Sequence, residues 1–117
     1  MAMSDHRKLM VWQEAMDLVE EIYQVTRGFP RDERFGLVSQ MRRSAVSIPS
    51  NIAEGASRKN KNEFIQFLSI ARGSLAELRT QVEISHRLDF THDDLSPKLD
   101  RVGRLLNALI RSLRVGE

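Results

Sequence analysis

Cysteine is absent from all 117 residues, which removes disulfides, thiolate metal sites and cysteine nucleophiles from consideration. No apolar run approaches the ~20 residues that a membrane-spanning helix requires, and the opening Met-Ala-Met-Ser-Asp-His is not a secretion signal. Both absences suit a protein of the reducing cytoplasm, the location expected here. Nor does one sign of charge dominate. Eighteen Lys and Arg stand against 16 Asp and Glu, a net charge of +2, far from the profile of a dedicated nucleic-acid binder. Alternating β-type segments, internal repeats and low-complexity linkers are missing too. A chain of this length forms one domain, residues 1–117, able to bury on the order of two-thirds of its unfolded surface; residues 1–7 are expected to be flexible.

What the chain does have is helical periodicity. The first helix is predicted from about Lys8 to Arg27, with Leu9, Trp12, Met16, Val19, Ile22 and Tyr23 along one side and Gly28-Phe29-Pro30 as its stop. The second begins near Asp32-Glu33, where acids favour a helix N-terminus, and runs to about Ala56, bent where Pro49 removes a backbone donor. Asn60 caps the third, with Glu63 completing a capping box. Phe64, Leu68, Ala71, Leu75, Leu78 and Val82 then form a bundle seam. The fourth carries Leu95, Leu99, Val102, Leu106, Leu109 and Leu113, and starts either at Ser96-Pro97, with proline at its first position, or from Thr91 as cap. Phe67, Ile70, Leu105 and Ile110 flank these two seams and suit either a subunit interface or an enlarged core rim. Short connections favour antiparallel neighbours, so the fold expected is an all-α, up-down-up-down four-helix bundle.

The second helix carries an unusual polar stripe. At 100° per residue, Gln40, Arg43, Ser47, Asn51, Glu54 and Arg58 share an arc roughly 80° wide, and Leu37, Met41, Ala45, Ile48 and Ile52 form a separate apolar arc about 120° away. Ser and Asn are poor helix formers and Pro is worse, whereas an idle solvated face is built from Lys, Glu and Ala. On the third helix Ser74, Glu77 and Gln81 cluster beside the seam. The expectation is a hydrogen-bonded network of Arg43, Ser47, Asn51, Glu54, Glu77 and Gln81 between helices or between subunits, since satisfied polar networks fix register and partner.

Catalytic constellations are weak. Glu83-Ile84-Ser85-His86 matches the Glu-x-x-His spacing of di-iron bundles, but such sites need two of these pairs and two further glutamates. Only one pair is present, and Val82 and Ser85 on the seam turn Glu83 to the flank. His6, His86 and His92 are scattered, and no phosphate loop or nucleophile set includes them. Glu54 and Glu77 suit ion pairs with arginines better than acid–base work. The reading is of a protein that is not an enzyme and holds no metal or cofactor.

Two basic features remain. Arg58, Lys59 and Lys61 mark the connection after the second helix, and Arg101, Arg104, Arg111 and Arg114 occupy an arc of roughly 140° on the fourth. Asp100 in that arc is placed to pair with Arg104 at i, i+4. These seven cations are the nucleic-acid-binding candidates, and the alternative is a solvated basic face. Aromatics do not interleave them, so they form no stacking platform.

The motifs Val11-Trp12-Gln13-x-Ala15, Ile22-Tyr23, Phe29-Pro30-x-x-Glu33-x-Phe35-Gly36-Leu37 and Gln40-Met41-Arg42-Arg43-Ser44-Ala45-Val46-Ser47-Ile48-Pro49-Ser50-Asn51-Ile52-Ala53-Glu54-Gly55 with Arg58 carry a likeness to a known group. So do Phe64, Phe67-Leu68, Ile70-Ala71-x-Gly73-Ser74-Leu75-x-Glu77-Leu78 and Gln81. Over nearly its whole length the chain resembles the bacterial four helix bundle protein family, also called ribosomal-RNA intervening-sequence proteins. The resemblance implies a homo-oligomer, in some relatives a five-membered ring with a central channel. Some members are encoded inside intervening sequences of large-subunit ribosomal RNA genes. A related branch, the accessory variability determinant of diversity-generating retroelements, is a ring that binds nucleic acid and a reverse transcriptase through basic surface residues. The function expected is therefore a ring-forming homo-oligomer that engages RNA or DNA, or a nucleic-acid enzyme, and no membrane. The alternative is a protein-binding scaffold with no nucleic-acid role.

Overall fold

The structure, a computed structural model, describes residues 5–115. Four helices account for most of it: α1 (Met10–Thr26), α2 (Leu37–Ala56), α3 (Lys61–Arg87) and α4 (Ser96–Arg114). No strand occurs among the described residues. Each helix packs on the next and α4 closes against α1, giving an antiparallel all-α bundle of 47 × 21 × 20 Å. Two exposed cross-helix hydrogen bonds mark the α3–α4 register, Arg72 to Asn107 at 3.1 Å and Arg79 to Asp100 at 2.8 Å.

Local chemistry sets the helix ends. Arg31–Glu33 form a separate 3-10 turn, so α2 begins five residues later than its acids suggest. Glu33 acts from outside the helix: its carboxylate accepts the Leu37 N–H at 3.1 Å, satisfying a donor that the first turn leaves free. Gly36 makes room for it, because a Cβ there would lie 3.0 Å from Glu33 Oε1. The helix then continues through Pro49, which is buried. Asn60 caps α3, accepting from the N–H groups of Asn62 and Glu63 at 2.7 and 3.3 Å. Glu63 does not reciprocate but lies 4.0 Å from Arg58. At the other end Asp89 adopts a left-handed φ of 60°. Phe90 N–H returns to Ser85 O and Asp89 N–H to His86 O, a Schellman closure. α4 starts at Ser96 with Pro97 in its second position, and Thr91 instead accepts the Asp93 N–H within the loop. Of the segment expected to be flexible, residues 1–4 lie outside the described residues. His6–Lys8 form a 3-10 turn, with His6 edge-on to Trp12 at 5.1 Å.

Two core assignments move. On α1 the buried stripe is Val11, Ala15, Leu18 and Ile22. Trp12, Val19 and Tyr23 are half-buried beside it and Met16 is exposed. On α4 the core continues from Val102 and Leu106 to Ile110, while Leu109 and Leu113 are half-buried. Four-residue steps keep 102, 106 and 110 on one face, so Ile110 belongs to the core and not its rim. Phe67 and Leu105 are half-buried, and Ile70 is exposed.

The tightest approach is between α2 and α3. A Cβ on Gly55 would lie 2.8 Å from Phe67 Cβ and 2.9 Å from Phe64 Cδ1, with the Phe64 carbonyl at 3.3 Å. Gly55→Ala is expected to lower stability by about 1–3 kcal/mol, against the ~1 kcal/mol that alanine gains in helix propensity. Gly73, whose Cβ would meet nothing within 4 Å, supplies the control: Gly73→Ala raises stability by up to about 1 kcal/mol. Urea unfolding of both variants measures the pair.

Candidate functional site

The polar stripe of α2 divides into an inward and an outward part. Inward, Ser47 Oγ meets Ser74 Oγ of α3 at 2.8 Å. Asn51 Nδ2 donates to Ser47 O at 2.8 Å and Ser47 Oγ at 3.0 Å. Deeper in the same seam Ser44 Oγ lies 2.7 Å from Gln81 Oε1 and 3.1 Å from Met41 O, with Ser44 and Gln81 both 4 % exposed. Gln81 Nε2 reaches Glu77 at 3.4 Å. Outward, Arg58 donates to Glu54 at 2.9 Å and lies over the Phe67 ring at 5.0 Å.

The six residues expected to form one network therefore stand, within one chain, in separate groups: Ser47 with Asn51, Gln81 with Glu77, and Glu54 with Arg58 alone. Arg43 forms no hydrogen bond or ion pair among the described residues. It borders a polar recess of about 380 Å³ shared with Gln40, Ser44, Ser47, Ser74 and Glu77. Ser44 is the seam residue that sequence reasoning missed. It falls outside the 80° polar arc, and the signal available was a serine beside Met41, Ala45 and Ile48, where only a paired hydroxyl is tolerated.

This pairing is testable. In Ser44→Ala, Gln81 Oε1 keeps its burial and loses its donor, which costs about 1–3 kcal/mol. Removing both polar partners in Ser44→Ala/Gln81→Met recovers most of the loss, because no orphan group remains. Chemical denaturation of the single and double variants reads out the difference.

The seven basic candidates also separate. Arg58 is committed to Glu54. Arg101 is held by α1, with Nε 3.2 Å from Glu14 Oε1 and NH2 3.3 Å from Met10 Sδ. Asp100 does not pair with Arg104 as its spacing suggested but with Arg79 across the α3–α4 seam, because that guanidinium also reaches Leu99 O at 3.1 Å. Arg104, Arg111 and Arg114 on α4, with Lys59 and Lys61, are exposed and form no ion pair among the described residues. The antiparallel register brings the last turn of α4 beside the first turns of α3. Lys59, Lys61, Arg111 and Arg114 consequently share one end of the bundle.

Glu14 is the hub of the α1–α4 contact, accepting from Lys98 Nζ at 2.8 Å as well as from Arg101. The Lys98 hydrogen bond, opposed by desolvation and aided by Arg101, holds the Glu14 carboxyl below the ordinary value of 4.5. The same bond raises Lys98. A carboxyl lowered on folding stabilises the fold above its unfolded pKa, and that contribution is lost as pH falls through the folded value. Glu14→Gln should therefore melt below wild type at pH 7, and the two melting curves should converge as the pH drops below about 4.5. Thermal melts across pH 3–7 follow the convergence.

Glu83 pairs with Arg87 on the surface at 2.9 Å, and His86 Nε2 lies 2.8 Å from Asp93 O. No group of three or more His, Asp or Glu residues is placed to hold a metal ion among the described residues. No helix among them is long and apolar enough to cross a membrane. The molecule is thus a small antiparallel helical bundle with a polar α2–α3 seam and a basic end. The family description "23S rRNA-intervening sequence protein" matches residues 7–108, and the chain belongs to that family. No curated protein matches it.

Proposed function

We propose that the chain is a non-enzymatic, cytoplasmic homo-oligomer, a ring of five subunits by its family likeness, that binds RNA or a nucleoprotein partner through its basic surface. The observation that carries this reading is the set Lys59, Lys61, Arg111 and Arg114, gathered at one end without carboxylate partners among the described residues. Among the described residues the acids beside the α2–α3 turn, Glu54 and Glu63, already face Arg58. Cations left free at a surface attract a polyanion by releasing its counterions. Arg104 extends the set along α4, and Arg43, which borders the recess on α2, has no partner among the described residues.

Binding by such a surface is steeply salt-dependent. The purified chain should bind RNA at low salt, and Lys59→Ala/Lys61→Ala/Arg114→Ala should reduce the slope of log K against log salt by about 2–3, three phosphate contacts at ~0.7–0.9 each. Salt-titrated anisotropy measures this, and light scattering gives the assembly. A wild-type protein that ignores RNA at low salt refutes the nucleic-acid part, and a monomer refutes the ring. One observation favours a second reading, the protein-binding scaffold. Ile70 and Ile84 on the outer face of α3, and Leu88 at its C-cap, are 52, 40 and 54 % exposed. An oligomer that binds no RNA would select it.

A further inference from the structure

A second electropositive surface lies between α1 and α2, far from the basic end. Here a groove of about 620 Å³ is lined by Tyr23, Arg34, Phe35, Arg42, Arg43 and Val46, among others, and by no carboxylate. Glu33, the nearest acid in sequence, has its carboxylate engaged with the Leu37 N–H. Three guanidiniums therefore face one recess without compensation.

Two aromatic rings share that recess. Phe35, on the turn before α2, is 87 % exposed, although burying such a ring is worth about 1.5–3 kcal/mol. The Arg34 guanidinium carbon lies 5.3 Å from the Phe35 ring centroid and leaves the opposite ring face open. Arg42 covers Tyr23 at 4.4 Å. It is pinned there by its Nε, which donates to Thr26 Oγ1 at 3.0 Å. Arg43 stands beside them with no partner among the described residues. The groove thus offers one free π face, one pre-ordered guanidinium and two adaptable ones.

The occupant these groups select is planar, aromatic and anionic. A neutral apolar peptide would cover three cations without offering them a counter-charge, and a plain anion gains nothing from the rings. We propose that the groove takes a single-stranded polynucleotide, one base stacked on the free face of Phe35 and the flanking phosphates on Arg34 and Arg43. This rests on the nucleic-acid reading above and adds a preference to it. In a duplex the bases are already stacked and unavailable, so only unpaired segments engage the aromatic part. Duplex binding falls to the cations at the other end of the bundle.

The test is anisotropy at one low salt concentration with the full chain. The probes are a ten-nucleotide pyrimidine RNA, the same sequence as DNA, and a blunt-ended RNA duplex. Wild type should prefer the single strands. Phe35→Ala should weaken them about 5- to 150-fold, the loss of one base–aromatic stack, and leave the duplex within about twofold. Phe35→Trp should retain the preference, and Arg43→Ala should lower the single-strand salt slope by about 1. Phe35 is exposed, so an unchanged melting curve is expected and certifies the fold. Single-strand affinity that survives Phe35→Ala, but disappears in Lys59→Ala/Lys61→Ala/Arg114→Ala, overturns the groove and spares the broader reading. Absence of all binding by wild type overturns both. A drop in assembly size on Phe35→Ala assigns the ring to a subunit contact and overturns the groove.

Discussion

The α2–α3 seam is the constraint on which the rest of the bundle depends. Its α2 side is built from small residues, Ser44, Ser47, Asn51 and Gly55, at steps of three and four. That spacing lets the backbones approach until Gly55 touches Phe64 and Phe67. Close approach buries polar atoms, and each then needs a partner at one place only. Ser44 finds Gln81 and Ser47 finds Ser74. Sliding one helix by a turn would strand the Gln81 amide against apolar side chains, a penalty of about 1–3 kcal/mol. Apolar packing alone penalises such a slip weakly, because one leucine replaces another. The serines and the glutamine make the register singular.

Register then decides where the surface chemistry lies. With α3 packed on α2, and α4 on α3 in the register that Arg72–Asn107 and Arg79–Asp100 mark, the α2–α3 turn and the end of α4 lie at the same end of the bundle. Lys59 and Lys61 share one end of the bundle with Arg111 and Arg114 for that reason, although some fifty residues separate them in sequence. The same geometry explains the poor helix formers of α2. Ser44, Ser47 and Asn51 belong to the seam, whereas Arg43, Val46 and Ser50 look outward.

Much of this was legible in the residues, and the exceptions have physical causes. The seam of α3, its Asn60 cap and the α4 stripe as far as Leu106 were readable because one face is apolar and the other is not. α1 is apolar on two neighbouring faces. Periodicity there favoured large Trp12, Met16 and Val19 over the small Ala15, which is fully buried. Pairings between distant residues left no local trace. Asp100 reads as a partner for Arg104, and nothing near Arg101 announces Glu14, 87 positions earlier. The groove around Phe35 needs α1, α2 and the turn between them, so no single helical wheel displays it.

The modest net charge of the chain is a poor guide to its surface. Many arginines are consumed as ties: Arg42 on Thr26, Arg58 on Glu54, Arg79 on Asp100, Arg101 on Glu14. Acids are segregated as well, with Glu21, Asp93 and Asp94 lining one recess near the α3–α4 loop. The bundle is 47 Å long and the screening length at physiological salt is about 8 Å, so its two ends do not sense each other's charge. A polyanion approaching Lys59 and Lys61 meets a local field set by the free cations there, not by the sum over the chain. It follows that a near-neutral composition and a phosphate-binding surface are compatible in this fold, provided that helix register, and not composition, keeps the acids away.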